Sequence, residues 1–92
     1  MYLQLHGEEA LKKQSKASLR KGIGSFQKQI LEHQHKQAHP EQYYSEWGAY
    51  EDWKRQGLLE HWQKEIDNFK ESIETRVIEL KERGEYERTD KR

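Results

Sequence analysis

The chain contains no cysteine and a single proline. The lack of thiols excludes disulfides, thiol catalysis and thiolate metal sites, while leaving the compartment open. No hydrophobic run approaches the roughly 20 residues that span a bilayer, and no signal-peptide core is present. No membrane partner is therefore expected, and an exported module of this kind would have to be addressed by another segment or chain. Net charge is also missing: 17 Lys and Arg balance 17 Asp and Glu. That is not the composition of a dedicated nucleic-acid binder. The phosphate loop, the dinucleotide fingerprint, the serine-hydrolase elbow, the paired-carboxylate motif and HExxH are all absent. Apolar residues are scarce, at 32% against 37% charged, in a chain of 92 residues. One small domain without a large core fits these bounds.

What the chain does have is helical periodicity. From Leu58 to Gly84 the apolar residues Leu59, Trp62, Ile66, Phe69, Ile73, Val77 and Leu80 step by three or four, with charged and amide residues between them. Lys81 and Arg83 suit the C-terminal dipole, and Gly84 can take the left-handed conformation that ends a helix. The spacing predicts one amphipathic helix of about seven turns at 3.6 residues each. Its apolar face needs a partner. Leu19, Ile23, Phe26 and Ile30 repeat the same rhythm, which continues to His33 and Gln37. Ser18 is placed to cap this first helix and Pro40 to close it, giving Ser18 to Gln37. Gly22 and Gly24 oppose it by roughly 1 kcal/mol each relative to Ala.

Setting Ile30 against Ile66 in an antiparallel pair brings Phe26 to Phe69 or Lys70, Ile23 to Ile73, Leu19 to Val77 and His33 to Trp62 or Gln63. The expected fold is all-α: an antiparallel helical hairpin over residues 18–84, preceded by a loosely ordered arm over 1–17 and followed by a disordered tail over 85–92. Between the helices, Tyr43, Tyr44, Trp47, Tyr50 and Trp53 place five of the ten aromatics within one short stretch. The spacing of Trp47, Tyr50 and Trp53 suits a short third helix. Such a helix either caps one end of the hairpin, with Trp47 and Trp53 substantially buried, or offers a ring platform to a base or a partner side chain.

Charge is split along the chain. Residues 1–40 hold seven Lys/Arg and three Asp/Glu, and residues 41–92 hold ten and fourteen. Either the basic half packs beside the acidic half, or it meets phosphate.

Of the five histidines, His33 alone falls on the apolar seam. His35, two residues on, points about 200° away around the helix and cannot join His33 at one metal. No metal site and no cofactor is expected. A seam histidine is either a hydrogen-bonded core residue or an acid–base group, since imidazole exchanges protons near neutrality. A histidine flanked by cations suffices for RNA cleavage: it activates the ribose 2′-hydroxyl while the cations stabilise the crowded phosphate, without a metal. On that reading His33 is catalytic, and Lys36, Arg55, Lys54, Trp47 and Trp62 bind the substrate, with Lys64 a further candidate cation.

The run SLRKGIGSFQKQILEHQHKQAHP, then a Trp in a variable segment and RQGLLEHWQKEI, resembles the small C-terminal toxin domains of bacterial polymorphic toxins, of the Rhs and contact-dependent inhibition types. The resemblance rests on Ser18, Ile23, Ser25, Ile30, His33, Lys36, Pro40, Trp47, Gly57, Leu58, Trp62 and Ile66 and covers residues 18–70. Gln37 stands where such domains carry an aliphatic residue, and His39 where Asn or Asp is usual. The resemblance implies the tip of a larger secreted effector acting in the cytoplasm of a target cell, with a cognate immunity protein. Many such tips are nucleases, which implies an RNA substrate here. The rival from another class is a non-catalytic helical interaction module, with self-association through the 58–84 helix.

Overall fold

The computed structural model describes residues 11–84, and within them the protein is all-α, with no strand. Helix α1 spans Lys16–Ala38 and α2 spans Asp52–Glu82. Two short 3-10 turns, Pro40–Gln42 and Trp47–Ala49, lie between them. Residues 11–13 are also helical. The remainder of the expected N-terminal arm, with His6, and the expected tail over 85–92 lie outside the described residues.

Both helices begin earlier than their apolar rhythm does. The cap of α1 is Ser15, not Ser18: its Oγ accepts from the Ser18 backbone N–H at 3.0 Å. The helix then runs through Gly22 and Gly24 without a break, so packing outweighs their low propensity. Pro40 stands where α1 has ended, and the His39 N–H closes the last turn onto the His35 carbonyl at 2.8 Å. Helix α2 starts at Asp52, taking in Trp53 to Gly57 ahead of the first seam residue. Glu51, in extended conformation, leads into it, and Asp52 places negative charge in the first turn. It ends at Gly84, whose φ of 79° is the left-handed stop that glycine permits. The aromatic segment holds the two 3-10 turns, not a third α-helix, and Trp53 belongs to α2.

Leu19, Trp62, Ile66 and Leu80 are buried. Around them the half-buried positions follow rows seven residues apart. In α1 these are Gly22, Gln29 and Lys36, and beside them Ile23, Ile30 and Gln37. In α2 they are Leu58, Glu65, Ser72 and Glu79, and beside them Leu59 and Ile73, in one row with the buried Ile66 and Leu80. A strict seven-residue repeat is the period of helices that pack with a slight left-handed supercoil.

The contacts between α1 and α2 run in opposite index order. A Cβ on Gly22 would stand 3.2 Å from the Arg76 Nε. Phe26 stacks on Phe69 with centroids 5.8 Å apart, His33 meets Glu65 at 3.1 Å, and the Gln37 amide donates to Gln63 at 3.0 Å. His33, matched by spacing to Trp62 or Gln63, thus faces Glu65 and the edge of Phe69. At the far end the Arg83 guanidinium donates to the Leu11 and Lys12 carbonyls, tying the start of the described chain to the end of α2.

Candidate functional site

His33 is the third and last α1 residue of the seam row that begins with Leu19 and Phe26. Its side chain is 12% exposed. The Nδ1–H donates to the Gln29 carbonyl of its own helix at 3.0 Å, and Nε2 lies 3.1 Å from the Glu65 Oε1. Both ring nitrogens are thus engaged by acceptors of the protein itself, one on each helix. The Phe69 ring closes one side edge-on, with centroids 5.3 Å apart. The second oxygen of Glu65 meets the His61 Nε2 at 3.3 Å, one turn away on α2. One carboxylate therefore joins an inward and an outward imidazole. Nothing drew attention to His61 in the sequence, although its spacing of four from Glu65 is the ordinary spacing of a helical ion pair.

The cations expected around His33 are engaged elsewhere. Lys36 lies over two rings, 6.0 Å from the Trp62 centroid and 5.7 Å from that of Tyr43. Arg55 is turned into the chain between the helices: it donates to the Trp47 and Gly48 carbonyls at 3.3 Å, to the Tyr50 carbonyl, and to Asp52. This planar, multi-donor group gathers several carbonyls of the second 3-10 turn, among them that of Trp47, which also accepts from the Tyr50 N–H at 3.1 Å. Lys54 sits over the Tyr50 ring at 4.2 Å.

The aromatics divide into an inner and an outer set. Trp47 stacks on Trp62 with centroids 6.0 Å apart and planes 21° off parallel. Tyr44 packs on both and on Tyr50. Trp62 is buried, and Tyr44, Trp47 and Tyr50 are half-buried. Trp53 does not join them. Expected to be buried with Trp47, it is 72% exposed and its indole N–H donates to Glu51. The cause is its place in the first turn of α2, which carries it away from the seam rows. Tyr43 is exposed as well and shares a hydrogen bond of 2.6 Å with the His35 Nδ1.

The rings of His35 and His39 are 4.9 Å apart, but among the described residues no group of three His, Asp or Glu side chains is arranged to hold a metal ion. No described helix is long and apolar enough to cross a membrane. A groove of about 290 Å³ lined by Leu11, Lys12, Thr75, Ile78, Glu79 and Glu82 lies near the other end of α2. It is about 20 Å along the helix from Glu65 at 1.5 Å per residue. Compared with known proteins, the chain matches no family, no curated protein and no solved structure.

Proposed function

We propose that the chain is a non-catalytic helical interaction module: an antiparallel hairpin closed at one end by the Tyr44, Trp47, Tyr50 and Trp62 rings. The observation that carries this reading is the state of His33. It is held at both nitrogens and covered by Phe69. A catalytic base needs a free lone pair beside its substrate. The cations that would meet a phosphate instead brace the ring cluster and the 3-10 turn. Apolar side chains that could meet a partner remain outside the seam: Leu31 is 66% exposed and Ile78 46%.

The rival is the metal-independent ribonuclease, the tip of a secreted effector paired with an immunity protein. It draws on the polymorphic-toxin resemblance over residues 18–70, and it requires His33 to leave Glu65 before it can accept a proton from a ribose. Incubating the purified chain with total RNA, with and without a chelator, separates the two. Intact RNA in both samples is expected. Cleavage that disappears in His33→Ala, with helical content retained, would replace the module with the nuclease.

A further inference from the structure

The last turn of α1 brings two exposed imidazoles together. The His39 N–H closes that turn onto the His35 carbonyl at 2.8 Å, and residues four apart leave a helix one above the other. The two ring centroids are 4.9 Å apart, with planes 44° off parallel. A first-row metal ion bonded at about 2.1 Å to one nitrogen of each ring sets the ring centres about 5 Å apart. The pair is thus already spaced as two neighbouring ligands of one ion.

On each ring the Nδ1 faces a group of the protein. The His35 Nδ1 shares its 2.6 Å hydrogen bond with the Tyr43 hydroxyl, and the His39 Nδ1 lies 3.9 Å from a Glu41 carboxylate oxygen. The two Nε2 atoms are then the ones to offer to an ion. A histidine ligand is oriented, and its nitrogen made more basic, when its other N–H donates to an acceptor. The Tyr43 oxygen can accept in this way from His35, and the Glu41 carboxylate places negative charge beside the pair. Tyr43 also meets the His35 ring edge to face, with centroids 5.7 Å apart. His33 and His61, by contrast, both turn Nε2 to Glu65. Among the described residues no third His, Asp or Glu completes a site with His35 and His39, so water would fill the remaining positions.

We propose that His35 and His39 form a two-histidine site for a divalent ion of the later first transition row, of the class of zinc, nickel and copper. Imidazole nitrogen selects these ions over calcium and magnesium, which take oxygen ligands. With two ligands from the chain the site is open and exchangeable, unlike a closed structural centre of four. The Tyr43 N–H closes the first 3-10 turn onto the Pro40 carbonyl at 3.0 Å. An ion on His35 and His39 therefore clips the last turn of α1 and, through Tyr43, the turn that follows it. The proposal stands on the end of α1 alone and holds whatever the role of His33.

Calorimetric titration of the intact chain with zinc chloride tests this. Saturable binding of one ion per chain is expected, with no binding of magnesium, and copper should bind more tightly than zinc. His35→Gln and His39→Gln should each weaken zinc binding by about tenfold or more, and Tyr43→Phe, which keeps both ligands, by less than either. His61→Gln, which removes an exposed histidine elsewhere, should bind as the parent does. Circular dichroism confirms that each variant stays helical. A parent that binds no zinc overturns the proposal. So does binding that His35→Gln and His39→Gln retain in full, which would place the ion at other residues.

Discussion

At the residue scale, several side chains that looked chemically active also make structural contacts. Arg55 is the clearest case: one guanidinium serves the Trp47, Gly48 and Tyr50 carbonyls. Arg55→Ala should cost about 2 kcal/mol, because charged donors are removed from carbonyls that have few other partners. Arg55→Lys should recover little, since an ammonium cannot reach several carbonyls at once. Urea titration of the three proteins checks both. Phe69 touches both Phe26 and His33, and Phe69→Ala should cost about 3 kcal/mol. A loss below about 1 kcal/mol would mean that the ring does not bind the two helices together, since surface changes stay near that range. The place of His33 on the seam was legible from spacing. Its exact partner was less so, because seam spacing fixes which turns meet but not which polar side chain reaches across.

At the element scale, the existence of two long helices followed from apolar spacing, and their starts did not. Ser15 caps α1 and Asp52 opens α2, and neither position carries an apolar signal. The glycines show where packing decides. Gly24 and Gly57 have open space where a Cβ would stand, while a Cβ on Gly22 would crowd the Arg76 side chain at 3.2 Å. Gly24→Ala and Gly57→Ala should each raise stability by about 0.5–1 kcal/mol, and Gly22→Ala should gain less than either. Thermal unfolding of the three variants gives the ranking. In the aromatic segment the clustering of rings was visible in the sequence, but the regular spacing of Trp47, Tyr50 and Trp53 misdirected the helix assignment. Two 3-10 turns bring Trp47 onto Trp62 and leave Trp53 outside. With Trp47 and Trp62 replaced by Phe, emission from Trp53 should be quenched by acrylamide almost as fast as free indole. Emission from Trp62 alone should be strongly protected.

At the scale of the whole molecule, four buried apolar side chains are a thin core for a described segment of this length. Burying one such side chain is worth about 1.5–3 kcal/mol, and small domains commonly draw further stability from a disulfide, a metal or association. Cysteine is absent, so no disulfide adds to it. The low apolar fraction foretold this thinness. It could not foretell that His33 and Glu65 would form an ion pair between the two helices. The reading of the molecule turns on whether His33 does chemistry or holds the helices together. Growth of a bacterium expressing the parent chain, compared with one expressing His33→Ala at equal level and equal helical content, tests this most directly. The two cultures are expected to grow alike; arrest by the parent that His33→Ala relieves would contradict a structural role for the histidine.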